Sequence, residues 1–283
     1  MIRLDAATVL LQWATGGLLF LWVTTRRREV GIGYGWLLRA VYGVMAIGAV
    51  AAGRVGDAVP VRDASSVGVV LAAAAALAVS VVRRRAGVAG ERERQARRSA
   101  RVAAMTGIDR AATVRDLHAA EFPPALDAVA PLVGLAGLVA GGVAAGGPHL
   151  LAVARTVIGA AFLGAVSDAM LLGHWYLVQP GLARDPINEL NRWLIVIWPF
   201  EVAALLWPTG MLSVLSGTVD DGYGGLLGWF WVACALTTVI LALVTAAALE
   251  ERAYSAVMAA TGLLYLAILT AFGTDLVARA VLA

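Results

Sequence analysis

The chain has 283 residues, 60% of them hydrophobic and only 14% charged, with a mean hydropathy of +0.81; an ordinary soluble domain, about a quarter charged, is excluded. The formal charge of +3 reflects 22 basic against 19 acidic residues, every basic one an arginine, and it makes no case for nucleic-acid binding beyond one local basic segment. A single cysteine, Cys234, lies in an apolar run, which excludes a disulfide framework and a thiolate metal site.

A helix needs about 20 apolar residues to cross a hydrocarbon core of roughly 30 Å. Eight stretches satisfy or approach this, at 6–24, 34–53, 66–82, 126–146, 150–178, 190–214, 225–248 and 254–276. The expected fold class is therefore all-α, a polytopic membrane bundle of eight helices. The first stretch ends on Arg26-Arg27-Arg28 and not on small residues, so no short cleavable signal peptide is evident. The chain is expected to divide into 1–82 (transmembrane helices one to three), 83–124 (an arginine-rich cytoplasmic loop) and 125–283 (transmembrane helices four to eight, carrying the polar cluster).

Arginine placement orients the bundle. With the N-terminus outside, Arg26 to Arg28, Arg83 to Arg85, the group Arg92, Arg94, Arg97, Arg98 and Arg101, then Arg184, Arg192 and Arg252 share one side. Arg54, Arg62, Asp220 and Asp221 fall on the other. The positive-inside rule makes the basic side cytoplasmic and puts both termini outside. The Arg, Ala, Gly and Val bias is that of a GC-rich bacterial genome, which points to a bacterial plasma membrane.

Arg83 to Pro124 is polar and helix-prone until Phe122-Pro123-Pro124 stops it. It is either a docking arm for a redox partner subunit or anionic headgroups, or a solvated linker whose arginines fix topology. His118 belongs to it as a surface histidine.

Arg39 to Val50 ("RAVYGVMAIGAV") resembles Arg155 to Val166 ("RTVIGAAFLGAV"). The two helices run in opposite directions. The likeness is either a three-plus-three inverted repeat of the transporter kind or composition together with close packing through small residues.

Ionisable residues inside a membrane cost at least about 2.5 kcal/mol and face the bundle interior. Asp168 lies about ten residues from the cytoplasmic end of helix five, roughly 15 Å deep at about 1.5 Å per residue. Glu201 lies at similar depth on helix six, so the two acids are expected to neighbour one another and share a proton. Arg39 has the reach to pair with either. Arg155 is too far along the helix to neutralise Asp168. Pro199 and Pro208 free the carbonyls of Ile195 and Ala204, which need partners in a membrane.

At the cytoplasmic rim, "MLLGHWYLVQP" places His174, Trp175, Tyr176 and Gln179 near the end of helix five. His174 is about 120° round the helix from Asp168 and Trp175 shares its face. These side chains also fit a plain interfacial belt. Pro180 and Gly181 stop helix five, Asp185, Pro186 and Asn188 provide turn and cap chemistry before helix six, and Arg184 and Arg192 could hold an anion.

Haem with two histidine ligands does not fit one chain, because His149 and His174 are roughly 37 Å apart along one helix and His118 is in a loop. Ligation through methionine or across a homo-oligomer has no pattern to support it. HExxH, Walker and GxSxG motifs are absent from the sequence. The plan is similar, as architecture alone, to quinone-handling anchors of respiratory complexes, a likeness that fixes no residue.

Two readings remain. One is a cofactor-free subunit that interacts with quinone and handles protons, with Asp168, Glu201 and His174 in proton transfer and Trp175, Tyr176, Gln179, Arg39 and Arg192 as ligand contacts. The other is a proton- or ion-coupled transporter with Asp168 and Glu201 as its coupling site.

Overall fold

The computed structural model describes residues 4–282 except 91–92, 94–95, 98–99, 101–119, 180–181, 209 and 252. Most of the proposed docking arm, with His118, Arg92, Arg94, Arg98 and Arg101, lies outside the described residues, as do Pro180, Gly181 and Arg252.

Among the described residues there are nine α-helices and no strand. They are α1 (Ala6–Thr25), α2 (Ile32–Val55), α3 (Pro60–Val82), α4 (Val129–Ala144), α5 (His149–Val178), α6 (Asp185–Leu206), α7 (Gly210–Leu215), α8 (Leu226–Glu250) and α9 (Tyr254–Val281). Short 3₁₀ turns follow α3 at Arg83–Arg85 and precede α4 at Pro124–Ala128. Seven helices, α1 to α5 with α8 and α9, are long and apolar enough to cross a membrane. Large apolar side chains such as Val44, Ile47, Leu71, Leu132, Ile240, Leu243 and Leu269 point outward, as a lipid environment requires. The chain is a multi-pass helical membrane protein.

The predicted stretch 190–214 is not one helix. It divides into α6 and the short α7, with Pro208 in the gap, where the missing N–H ends the ladder. Helix α6 also starts at Asp185, earlier than predicted. Pro186 fits its first turn, where no N–H is needed, so Asn188 lies inside the helix and is not its cap. Helix α3 likewise begins at Pro60, ahead of the predicted 66.

α1 and α5 form the inner pair. Asp5 caps α1, its carboxylate accepting from the N–H groups of Ala7 (3.3 Å) and Thr8 (3.1 Å). The two helices meet backbone to backbone: a Cβ on Gly16 would lie 1.8 Å from the Ala160 carbonyl oxygen, and one on Gly164 2.2 Å from the Gly16 carbonyl carbon. Small residues permit this approach, which is how membrane helices gain dispersion contact.

One end of the bundle gathers Arg26 to Arg28, Arg83 to Arg85, Arg184 and Arg192. The opposite end holds the starts of α1 and α3 and the chain between α6 and α8.

Candidate functional site

Asp168 projects from α5 into the interior at 0% exposure. Its Oδ1 accepts a 2.5 Å hydrogen bond from the Tyr42 hydroxyl, while Oδ2 has no partner. Tyr34 donates to the Asp168 carbonyl oxygen at 3.4 Å. The Tyr42 ring fits because α1 carries Gly17 there, where a Cβ would lie 2.1 Å from the ring. Next along α5, Ser167 accepts from Trp13 Nε1 at 2.8 Å.

Glu201, on α6, is also 0% exposed; no N–H or O–H donor bonds either of its carboxylate oxygens, and it faces the Asp275 carboxyl group. It neighbours Asp275 and Arg279 of α9 and Arg155 of α5. Arg279 grips Asp275 through Nε–Oδ2 (2.7 Å) and Nη2–Oδ1 (3.2 Å) and donates to Gln12 Oε1 at 2.5 Å. Gln12 in turn donates to Asp275 Oδ1 at 3.4 Å. Gly159 of α5 leaves room for this set: a Cβ there would be 2.6 Å from Gln12 Nε2 and 2.8 Å from Asp275 Oδ1.

The expected shared site of Asp168 and Glu201 is therefore corrected. No hydrogen bond or ion pair among the described residues joins them. Asp168 is engaged from α2, whereas Glu201 lies among Asp275 and Arg279 of α9 and Arg155 of α5, and Arg155 is about 20 Å along α5 from Asp168, so the two acids sit at different depths.

The partner expected for Arg39 is corrected as well. It pairs with Asp127 through Nε–Oδ1 and Nη2–Oδ2, each 2.7 Å, and Thr25 adds a 2.8 Å hydrogen bond to Asp127 Oδ2. The guanidinium carbon lies 4.3 Å from the centroid of the Phe122 ring. Asp127 sits in the 3₁₀ turn before α4, at the depth of Arg39 near the arginine-rich end, and so meets it before either deeper acid can.

Arg155 meets the need created by Pro208. Its Nε donates to the Ala204 carbonyl at 2.8 Å and its Nη2 to that of Trp207 at 2.5 Å. The carbonyl expected to be free has a side-chain partner. Pro199 stays within α6, on an exposed face.

The predicted rim residues do not converge on one pocket. Trp175 Nε1 donates to Gln179 Oε1 on the same helix at 3.0 Å. Tyr176 is buried, its hydroxyl donating to the Ala183 carbonyl and its own carbonyl accepting from Tyr254 at 3.2 Å. His174 faces outward, its Nδ1 3.2 Å from the hydroxyl of Tyr265 on α9. Arg192 is exposed. Arg184 wraps the end of α8, donating to the carbonyls of Leu249 (3.0 Å), Ala253 (2.8 Å) and Glu251.

A cavity of about 760 Å³ opens at the end opposite the arginine-rich one, its polar wall formed by Asp5, Thr8, Asp57, Arg62, Thr156 and Arg279. Arg62 is tied to Asp5 (2.5 Å), Asp63 (2.9 Å) and the Asp57 carbonyl (2.8 Å). Arg279 joins this cavity to the buried set around Glu201. At the arginine-rich end a second cavity, bordered by Thr25, Arg39, Glu121 and Phe122, measures about 30 Å³, the share of one water. No group of three or more His, Cys, Asp or Glu side chains among the described residues is placed to hold a metal ion.

Asp275, Arg279 and Gln12 were not singled out from sequence. The available signal was an acid and an arginine four apart in an otherwise apolar helix, the spacing that places two side chains on one face. The chain matches no family model, no curated protein and no solved structure.

Proposed function

We propose that the protein is a proton-coupled carrier of a bacterial plasma membrane, with Glu201 as the proton-binding acid. The observation that carries this reading is Glu201 itself: fully buried, with no N–H or O–H donor on either oxygen, facing Asp275 of the Asp275–Arg279 pair, whose arginine also lines the 760 Å³ cavity. An uncompensated carboxylate inside a membrane protein costs several kcal/mol. Taking up a proton removes that cost, so loading and unloading Glu201 changes which arrangement of the surrounding helices is favoured.

Arg155 provides the link to movement. It holds the carbonyls at the broken end of α6 and neighbours Glu201. When Glu201 loses its proton, the negative charge competes with those carbonyls for the guanidinium, so the α6–α7 break responds to the proton. A discontinuous helix beside a buried charge is the device many carriers use at their coupling site. The arginine-rich end faces the cytoplasm in this reading, both termini lie outside, and α2 and α5, related by the 39–50 and 155–166 likeness, move against α1.

Proteoliposomes with a trapped pH-sensitive dye test it. A protein-free ultrafiltrate of a cell extract, added under an imposed pH gradient, should draw protons inward through the wild type, and Glu201→Gln should abolish that entry. Wild-type vesicles that behave like empty ones, or a glutamine variant that behaves like wild type, overturn the reading.

One observation favours quinone chemistry instead. His174 and Tyr265 form a hydrogen-bonded pair on the outer surface of α5 and α9, where two polar groups facing lipid could hold the carbonyl of a membrane-soluble headgroup, with 83–124 as the redox partner's dock. Quinone that copurifies with the wild type and is lost with His174→Ala would support it.

A further inference from the structure

The carrier reading leaves Asp168 unused. Helix α1 relates the two buried acids. Gln12 belongs to the Asp275–Arg279 set, Trp13 holds Ser167 beside Asp168, and Gly17 lies under the Tyr42 ring. Between them is the crossing of α1 and α5 at Gly16 and Gly164, where backbone lies against backbone. On α5, Gly159 lies about 7.5 Å from Gly164 toward the open cavity, and Asp168 about 6 Å from it toward the arginine-rich end. The acids stand on opposite sides of this barrier.

We infer that Asp168, hydrogen-bonded by Tyr42, is a second proton-carrying site distinct from Glu201, lying on the arginine-rich side of the α1–α5 crossing, loaded from the Glu201 side and unloaded toward the arginine-rich end. The inference rests on the carrier reading for its purpose but has its own geometry. Asp168 forms no ion pair with any described residue. The groups facing it are neutral: Tyr42 and Tyr34 from α2, and Ser167 on its own helix, held by Trp13 from α1. A carboxylate at 0% exposure with one neutral donor is far less stable than the acid. Asp168 therefore holds a proton on Oδ2, the oxygen without a partner, while Oδ1 accepts from Tyr42. The step is a proton transfer alone. Asp168 gives the Oδ2 proton to water admitted from the arginine-rich side, and is reloaded from the Glu201 side when the crossing parts. Tyr42 positions the carboxyl group and steadies the short-lived anion.

Infrared difference spectroscopy of the full chain in vesicles tests the inference, with the dye assay alongside. The wild type should show the carbonyl band of a protonated carboxylic acid that vanishes in Asp168→Asn and shifts in Tyr42→Phe. Proton entry in Asp168→Asn should fall by about 100-fold, the contribution of a positioned acid. Tyr42→Phe keeps the test in force should Asp168→Asn not fold. The inference is overturned if no protonated band belongs to Asp168, or if Asp168→Asn conducts like the wild type while Glu201→Gln is silent; in the latter case the carrier reading stands. If Glu201→Gln conducts normally, the carrier reading falls, and the band still decides whether Asp168 holds a proton.

Discussion

The two ends of the bundle use charge in opposite ways. At the arginine-rich end, charges close the structure: Glu189 accepts from Arg26 at 2.6 Å and from Arg27, Arg28 reaches Glu121 at 3.5 Å, and the Arg39–Asp127 pair is buried beneath them. At the other end the charges line an opening. Arg62 is satisfied by Asp5 in the cavity wall and Arg279 by Asp275 behind it. Pairs gathered at the arginine-rich end act as a seal, whereas pairs in and behind the cavity wall keep a space open without leaving a bare charge. Among the described residues the wide opening is thus at the end away from the arginines, with the α1–α5 crossing between that cavity and Asp168.

The seal can be broken most severely at Arg39. Removing its side chain strands a charge on Asp127 in a buried site, a loss of about 3–5 kcal/mol. Arg39→Ala should lower the thermal unfolding temperature of the detergent-solubilised protein by the largest margin of any change discussed here. A double variant with Asp127→Ala should recover much of it, because no unpaired charge then remains. If the double variant is no better than the single one, the pair is not the seal.

The crossing is next in size. Gly16→Ala places a methyl group 1.8 Å from the Ala160 carbonyl oxygen, so the helices must part, at a cost of about 1–3 kcal/mol. Gly262 on α9 has nothing within 4 Å of a built Cβ. There the same substitution should be stabilising, by about 0.5–1 kcal/mol, through the helical preference for alanine. Thermal unfolding of the two variants side by side separates packing from propensity, and equal effects would remove the case for a tight barrier.

The architecture was legible because lipid imposes a coarse constraint: long apolar runs must be helices, and arginines collect at one end. The helical period also told that Asp168 and His174 point apart, and the structure has the first buried and the second outside. Partners were not legible. Consecutive helices are neighbours, but their register along the bundle depends on where each begins: α6 starts at Asp185, five residues before the predicted 190, so Glu201 lies deeper than expected and meets Arg155 and α9 in place of Asp168. Asp275 lies inside the predicted run 254–276, but its partner Arg279 falls beyond it, on the part of α9 that continues to Val281. Asp127 carries no signal of its own in the sequence, and only the 3₁₀ turn around it brings it to Arg39. Pro208 was the clearest local signal: a missing N–H foretells an orphaned carbonyl, though not that Arg155, 49 residues earlier, would claim it.

The smallest expected effect distinguishes the loops of the two ends. Asp221, ahead of α8, accepts from the N–H groups of Gly225 (2.8 Å), Tyr223 (2.9 Å) and Leu227 (2.8 Å). The Gly225 N–H foremost, with those of Tyr223 and Leu227, holds its carboxyl group below the usual carboxylate range against the opposing cost of desolvation. Because the folded value is depressed, this ordering is fully present above the ordinary aspartate pKa of about 3.9 and is lost as pH falls through the folded value. These bonds go to backbone N–H groups, so added salt leaves them largely intact. The Arg26 and Arg27 bridges to Glu189 are solvent-facing ion pairs, and salt screens them. Amide exchange, corrected for its intrinsic pH dependence, should therefore quicken at Tyr223, Gly225 and Leu227 in acid or in Asp221→Ala, with global unfolding unchanged, whereas high salt at neutral pH should loosen only the arginine-rich end. Equal sensitivity of both ends to salt would mean that the opposite loop, too, is held by charge pairing and that the contrast between the ends is one of degree.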